Sequence, residues 1–215
     1  MPLKKQRKQN PKARASTRTT KKLSRYNEKR DFTKTAEPPA TSKSTNKGDS
    51  FCIQKHDATR LHYDFRLEHK GVLLSWAVPK GPSLAPADKR LAVRTEDHPV
   101  EYGKFEGTIP KGQYGGGTVM LWDRGVWASL VDVDEGLRRG ALKFLVKGER
   151  VLGGYALIRM PKRRGEKSEN WLLIKERDDF VNDEDGEKLV REELTSIKTR
   201  RTMEEIAAGK KVKAR

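Results

Sequence analysis

The sequence predicts an all-β domain between two polar, basic termini. Short apolar or alternating stretches recur between residues 51 and 180, Gly and Pro cluster in the gaps, and helix signals are confined to the C-terminal end. Several short strands separated by turn signals are typical of a β-barrel or a β-sandwich. All four Trp also lie in this region, where large aromatic side chains can build a hydrophobic core.

The predicted strands follow one another at short intervals. The stretch at 61–68 alternates apolar and polar residues, the turn HKG follows it, and an apolar run continues the hairpin at 72–78. Five further stretches have strand character: RLAVRTE, TVMLWDRGVWASL, ALKFLVK, ERVLGGYALIRM and WLLIKERDDF. Near the C terminus, Thr202 and Glu205 form a capping-box pattern that predicts a short helix.

The positive charge of the chain is concentrated at its ends. Of 215 residues, 47 are Lys or Arg and 30 are Asp or Glu, which gives a net charge of +17. Residues 1–50 carry +11 and residues 198–215 carry +5, so the middle of the chain is nearly neutral. We therefore predict three parts: a disordered basic arm at 1–50, a β-barrel domain at 51–182, and a charged, partly helical tail at 183–215.

The basic arm has two interpretations that its composition does not separate. In the first, the arm binds phosphates regardless of base sequence, driven by counterion release. In the second, which the composition favours equally, it is a solvated tail or a basic address such as a nuclear signal. The net charge of the whole chain favours an anionic partner such as nucleic acid, and charge says nothing about the fold.

Composition excludes several classes of protein. The longest apolar stretch, at 72–78, is far shorter than the roughly 20 residues of a membrane span, and no apolar segment follows the basic N terminus as a secretory signal requires. The single cysteine, Cys52, excludes an internal disulfide framework and fits a reducing compartment. We expect no membrane partner and an intracellular location, cytoplasmic in a prokaryote or nuclear in a eukaryote.

The most informative stretch is QKHDATRLHYDFRLE at 54–68. Because alternate residues of a strand point to the same face, His62, Asp64 and Arg66 share one face, and His56 can fold toward it. Two imidazoles and a carboxylate suit a divalent transition metal: Zn, Mn, Fe, Co or Ni. An adjacent guanidinium suits the oxygens of a metal-bound phosphate. This combination indicates metal-assisted hydrolysis of a phosphoester.

The same residues also allow a simpler interpretation. A His or Asp on a half-exposed strand is usually a solvated polar residue, and the H-x5-H-x-D spacing is not diagnostic of a metal site. The spacing alone therefore leaves a metal site and an ordinary polar face both open.

Downstream, His98 lies close in sequence to Tyr102 and is a candidate general acid for a leaving oxygen.

Four motifs occur in order along the chain: QKHDATRLHYDFRLE, SWAVPKGPS, EDHPVEY and EGTIPKGQYGGG. Together they resemble the 3′-phosphoesterase domain of bacterial DNA ligase D, a domain that also occurs as stand-alone proteins. The likeness continues through WLLIKERDDF and covers about residues 50–180. Because the chain has no room for ligase or polymerase modules, we expect a stand-alone form.

The resemblance implies a compact, closed β-barrel with a surface groove that holds one metal ion. Mn²⁺ is the expected metal, with Zn²⁺ or Co²⁺ as alternatives. The implied metal ligands are His56, His62 and Asp64. The residues implied to contact the scissile phosphate, or to assist there, are Arg66, His98 and Tyr102. Four further positions support the groove in less defined roles: Gln54, Lys80, Arg90 and Glu96.

The resemblance also implies a reaction sequence. The family removes a terminal 3′ ribonucleoside by phosphodiester cleavage and then removes the 3′-phosphate, which leaves a 3′-OH end for double-strand break repair by end joining. The implied substrates are DNA or RNA-tipped DNA 3′ ends, and a separate DNA ligase and Ku are expected partners. Two alternatives remain: a non-catalytic module that binds nucleic-acid ends and recruits repair proteins, and a metal-dependent hydrolase of small phosphoesters.

Overall fold

The computed structural model describes residues 22–40 and 48–212, and ten β-strands dominate these residues. The strands are β1 Ser50–Asp57, β2 Leu61–His69, β3 Val72–Val78, β4 Arg90–Arg94, β5 His98–Pro99, β6 Gly107–Ile109, β7 Gly117–Ser129, β8 Ala141–Gly148, β9 Leu152–Arg159 and β10 Glu169–Lys175. The short helices in this part of the chain are α1 Ser24–Glu28, α2 Val133–Arg139, α3 Lys188–Glu192 and α4 Met203–Ala207, with a 3₁₀ helix at Val100–Lys104.

Eight strands close into an antiparallel barrel, which confirms the predicted fold class. Their order is β1-β2-β3-β4-β10-β9-β8-β7, and β7 pairs back to β1. The short strands β5 and β6 lie beside β3 and β7. The register between β1 and β7 shifts between Ile53 and Gln54. Ile53 lies opposite Asp123 and Gln54 lies opposite Leu121, so the extra residue is Trp122 of β7, and this bulge bends β7 beside the start of the polar face of β1.

The core fills the inside of the barrel with the residues that the strand alternation predicts. Tyr63, Phe65 and Leu67 of β2 are at most 3% exposed and belong to the main hydrophobic cluster. Trp76 and Trp171 meet edge to face in the same cluster, with ring centroids 6.0 Å apart. Burying side chains of this size contributes about 1.5–3 kcal/mol each, so the barrel interior is the main source of stability.

Residues 22–40 pack against the barrel, which corrects the prediction of a disordered arm for this part of it. Leu23 joins the main core, and Tyr26 is fully buried with its hydroxyl donating to the Pro38 carbonyl at 2.7 Å. These two apolar anchors stand one helical turn apart, a pattern too short to produce visible periodicity among the surrounding Lys, Arg and Thr. Residues 1–21 and 41–47 of the predicted arm lie outside the described residues.

One helix was missed within the barrel domain. Helix α2 begins after Asp132, whose carboxylate accepts a hydrogen bond from the Glu135 amide, and it ends at Gly140 with a φ of 78°. Both are standard boundary signals, an N-cap Asp and a left-handed Gly. The expectation that helices are confined to the C-terminal end is therefore wrong, and these two residues could have corrected it.

The C-terminal tail is tied to the barrel surface. Glu106, just before β6, accepts hydrogen bonds from Ser196 and Thr199, each at 2.5 Å, and from Arg201 at 2.9 Å. Helix α4 then begins at the predicted capping box of Thr202 and Glu205. None of the helices in the described ranges combines the length and the apolar character that crossing a membrane requires.

Candidate metal centre and its pocket

The pairing of β1 with β2 brings the candidate residues onto one face. His56 lies directly opposite His62, and Gln54 lies directly opposite Asp64. Residues opposite each other in an antiparallel ladder project to the same face, as do alternate residues along one strand. The imidazole ring centroids of His56 and His62 are 4.8 Å apart. The polar face predicted for β2 therefore continues across β1.

The donor set of this face fits a divalent metal ion. The ligand atoms of His56, His62 and Asp64 all lie within 4.8 Å of one another. His56 Nε2 is 3.0 Å from the Gly115 carbonyl oxygen, and His62 Nδ1 is 2.8 Å from the Arg60 carbonyl oxygen. Because a carbonyl only accepts, these nitrogens carry the protons of the neutral rings. The remaining lone pairs, on His56 Nδ1 and His62 Nε2, lie 3.6 and 3.8 Å from Asp64 oxygens. Metal-ligating histidines are held in this way.

Arg66 is fixed next to these three side chains by three hydrogen bonds. Its Nε donates to Gln54 at 2.7 Å, Nη1 to the Ser75 hydroxyl at 2.7 Å, and Nη2 to Asp64 at 3.0 Å. Burial by itself would raise the pKa of Asp64, but the charge of Arg66 and the neighbouring imidazoles hold that pKa well below its usual range. These neighbours favour the carboxylate form of Asp64, which is the form in which an aspartate binds a metal ion.

Gln54 connects Arg66 to the 3₁₀ helix. Its side-chain nitrogen donates to the carbonyls of Tyr102 and Phe105, at 3.0 and 2.9 Å, while its oxygen accepts from Arg66. The side chain is fully buried, so the protein itself supplies its hydrogen-bond partners. Gln54 therefore lies behind Arg66 and orients its guanidinium.

His98 reaches the pocket from β5. Its Nδ1 donates to the Glu96 carbonyl at 2.8 Å, so Nε2 accepts, and Arg30 Nη2 lies 3.4 Å from it. Burial, together with the charges of Arg66 and Arg30, lowers the pKa of His98 well below its usual value. The ring packs 4.9 Å from that of Tyr102, centroid to centroid. Tyr102 lies at 4.9 Å from the Arg66 guanidinium, and burial raises its pKa.

Arg30 is a pocket residue that the sequence analysis missed. Its side chain is 4% exposed and pairs with Glu37 at 2.8 Å and with Glu96 at 3.3 Å. The guanidinium lies 3.8 Å from the centroid of the Tyr26 ring. Among many basic residues of the N-terminal segment nothing distinguishes Arg30 in sequence; only the packing of residues 22–40 reveals it.

The side chains surround a cavity of about 290 Å³. Seven predicted residues line it: His56, His62, Asp64, Arg66, Glu96, His98 and Tyr102. Lys80 and Arg90 are not among the described residues that line this cavity, and their supporting role stays a prediction. Lys80 is exposed in the turn after β3, and Arg90 is held by Asp88 and Glu187 at 2.8 and 2.9 Å. These two ion pairs hold the Arg90 guanidinium away from the cavity.

Comparison with known proteins gives one consistent result. Residues 54–159 match the family model described as the DNA ligase D 3′-phosphoesterase domain. The multifunctional non-homologous end joining protein LigD of Pseudomonas aeruginosa is 48% identical over 187 residues, covering 86% of this chain and 22% of that protein. Its namesake in Mycolicibacterium smegmatis is 44% identical over 166 residues, covering 73% of this chain and 21% of that protein.

Fold and site together define an antiparallel β-barrel domain with a His/His/Asp metal-type centre beside a buried arginine. Through residues 54–159, the chain belongs to the DNA ligase D 3′-phosphoesterase domain family. It spans about a fifth of the length of the curated relatives that it matches. The whole activity of those longer proteins is therefore not carried over to this chain.

Proposed function

We propose that the chain is a metal-dependent phosphoesterase that trims the 3′ ends of DNA or RNA-tipped DNA. It would remove a 3′-terminal ribonucleoside as a phosphodiesterase and then the 3′-phosphate as a phosphomonoesterase, leaving a 3′-OH end for end joining. The observation that carries this proposal is the lone-pair geometry of His56 and His62 around Asp64, next to a buried arginine. Family membership supports the same chemistry.

His56, His62 and Asp64 would hold the metal. The family resemblance favours Mn²⁺, and the His/carboxylate donor set also accepts Zn²⁺ or Co²⁺. When bound, a divalent metal supplies a Lewis acid for a phosphate oxygen and lowers the pKa of a bound water. The Gly115 and Arg60 carbonyls keep the two imidazoles in the ligating tautomer. Asp64 is already ionised because Arg66 lies beside it.

Arg66 would bind the scissile phosphate and stabilise the charge that grows on its oxygens. Its three hydrogen bonds hold the guanidinium in one orientation, so little reorganisation is needed when the substrate arrives. Gln54 acts through Arg66 and is a positioning residue. Arg30 lies on the same side of the pocket as His98 and adds a second positive charge for the phosphate.

His98 would deliver a proton to the leaving oxygen from Nε2. In the substrate-free protein Nδ1 carries the proton and Nε2 accepts from Arg30, so the ring is neutral. Burial and the charges of Arg66 and Arg30 lower the pKa of His98, and a phosphate seated between the two guanidiniums would offset those charges. The ring could then gain a proton on Nε2, while Tyr102 packs against its face and limits its movement.

The deciding experiment uses a primer–template whose primer ends in a single ribonucleotide. Incubation with the purified protein and Mn²⁺ is expected to give a 3′-phosphate and then a 3′-OH, and EDTA is expected to stop both steps. His62→Ala should lose both activities. His69→Ala is the matched control, because His69 contacts Asp134 on the surface and not the pocket.

Two results would overturn the proposal in different directions. A primer that is bound but never shortened, with any divalent metal, favours a non-catalytic end-binding module. Hydrolysis of a small aryl phosphate at a rate equal to that of the primer end favours a general phosphoesterase.

A separate DNA ligase and Ku are proposed partners, which co-purification with DNA ends would test.

A further inference from the structure

A second, larger groove opens beside the metal pocket and is strongly basic. Its volume is about 740 Å³. Its described lining contains two acidic side chains, Glu96 and Glu169, and six cationic ones: Arg25, Lys29, Arg94, Arg159, Lys162 and Lys167. The barrel domain as a whole is nearly neutral, so this groove concentrates positive charge on one side of the molecule. Such a field attracts an extended anion.

Part of this positive charge is not used by the protein itself. Arg94 forms an ion pair with Asp97, Arg159 donates to backbone carbonyls, and Lys29 pairs with Glu96 at 3.1 Å. Within the described ranges, by contrast, no carboxylate forms an ion pair with Arg25, Lys162 or Lys167. Lys162 and Lys167 are exposed on the loop between β9 and β10. Unpaired cations spaced along a groove are suited to successive phosphates of a strand.

The groove is continuous with the metal pocket. Thr95, Glu96 and Tyr114 line both cavities, so they form the boundary between them. Glu96 carries no free charge at this boundary, because Lys29 and Arg30 both pair with it. Repulsion of a strand by Glu96 is therefore reduced, and the end of a strand lying in the groove would enter the pocket that contains His56, His62 and Asp64.

Tyr114 places an aromatic ring at this boundary. The side chain is 46% exposed, and its hydroxyl is fixed by Lys29 at 2.9 Å and by Glu96 at 3.2 Å. Lys29 Nζ already lies over the ring, 4.3 Å from its centroid, so a base would stack on the part of the ring that stays exposed. Stacking of this kind tolerates any base because every base has a π-face. A basic groove that ends at an aromatic platform is the usual arrangement for binding single strands.

We propose that this groove binds the strand whose 3′ end enters the metal pocket. Its phosphates would lie along Arg25, Lys162 and Lys167, and its terminal base would stack on Tyr114. The proposal rests on the proposed function, and it adds that the protein selects polynucleotide ends over small phosphoesters through this groove. Phosphate contacts of this kind depend on salt and not on base sequence.

The test measures binding of a fluorescent primer–template with a 3′-phosphate, in EDTA, over a range of salt concentrations. Lys162→Gln with Lys167→Gln should weaken binding and reduce the slope of log K against log salt by about 1.4–1.8, at 0.7–0.9 per lost phosphate contact. The control variant, Lys89→Gln with Lys188→Gln, removes the same charge at exposed positions outside the groove. It should bind as the parent protein does.

The variants also separate this proposal from the proposed function. With Mn²⁺, the groove variant should hydrolyse p-nitrophenyl phosphate as fast as the parent while losing activity on the primer–template. If the parent hydrolyses neither substrate but the binding result holds, the groove remains and the proposed function fails. Equal binding and equal salt slopes for the groove and control variants would overturn the groove.

Tyr114 is tested by a pair of substitutions. Tyr114→Ala should weaken binding of the primer–template about tenfold, whereas Tyr114→Phe should bind within about twofold of the parent, because stacking needs the ring and not the hydroxyl. An equal loss in both variants would assign the effect to the hydrogen bond with Glu96 and would overturn the stacking role.

Discussion

The two faces of β2 are both buried, but different interactions bury them. On the inner face Tyr63, Phe65 and Leu67 are at most 3% exposed and contact other apolar side chains. On the outer face Asp64 and Arg66 are 6% and 2% exposed, covered by the 3₁₀ helix and by residues 22–40. The side chains of the inner face are all used in packing the core. The outer face keeps two imidazole lone pairs and a carboxylate directed at one point, and this makes it a site.

The largest expected effect comes from breaking the inner face. Phe65→Ala removes a ring that packs 5.2 Å from Phe51 and 5.8 Å from Phe144, centroid to centroid. We expect the free energy of unfolding to fall by about 3–5 kcal/mol, because a large core cavity remains. Guanidinium denaturation measures this. Turnover per folded molecule should stay within about twofold, since Phe65 does not line the pocket; a large loss per folded molecule would show that the two faces are not independent.

Breaking the outer face should reverse that pattern. Arg66→Lys keeps the positive charge but loses the fixed guanidinium and its bonds to Gln54 and Ser75. We expect turnover on a 3′-phosphate end to fall about 10²–10³-fold, as for the loss of one preorganised donor. Arg150→Lys is the control, because the side chain of Arg150 is 6% exposed but donates to carbonyls of the barrel and tail. Comparable turnover losses in both variants would contradict a special role for Arg66.

Metal binding at the outer face should stabilise the folded protein. At a Mn²⁺ concentration about 100 times its dissociation constant, the protein should gain about 2.7 kcal/mol, seen as a higher Tm. Asp64→Asn should lose this gain because one ligand is removed. Asp134→Asn, which changes a surface carboxylate paired with Lys70, should keep it. A gain that survives Asp64→Asn would place the ion elsewhere.

The smallest effect is expected at Glu106, a carboxylate outside the metal pocket whose hydrogen bonds hold the C-terminal tail to the barrel. Burial tends to raise the pKa of Glu106, but hydrogen bonds from Ser196, Thr199 and Arg201 outweigh it and lower the pKa. A lowered pKa contributes stability above the unfolded value, about 4.3, that is lost as the pH falls through the folded value. Glu106→Gln should therefore cost about 1–2 kcal/mol at pH 7 and less below pH 4. A pH-independent difference in denaturation midpoints would contradict this.

Much of the fold could be predicted from local patterns, and each success has a local cause. The alternation in residues 61–68 depends only on strand geometry, so it identified which β2 side chains enter the core. The capping box at Thr202 depends on residues three apart, and it is present. The missed helix α2 had equally local signals at Asp132 and Gly140. Residues 22–40 were missed because their order depends on contacts with the distant barrel.

The sequence by itself determined the inner and outer faces of β2, the strand-rich middle of the chain and the chemistry of the His/His/Asp/Arg face. The faces of β2 follow from alternation within one strand, whereas the strand-rich middle follows from short apolar stretches separated by Gly and Pro, and His56 of β1 was expected only to fold toward the polar face. Only the tertiary structure decided that β1 lies in register with β2, that His98 and Arg30 meet in the same pocket, and that Arg90 is held elsewhere by Asp88 and Glu187. The physical reason is that these contacts join residues far apart in the chain, and barrel closure and the packing of residues 22–40 select them by burial and charge pairing that no local pattern encodes.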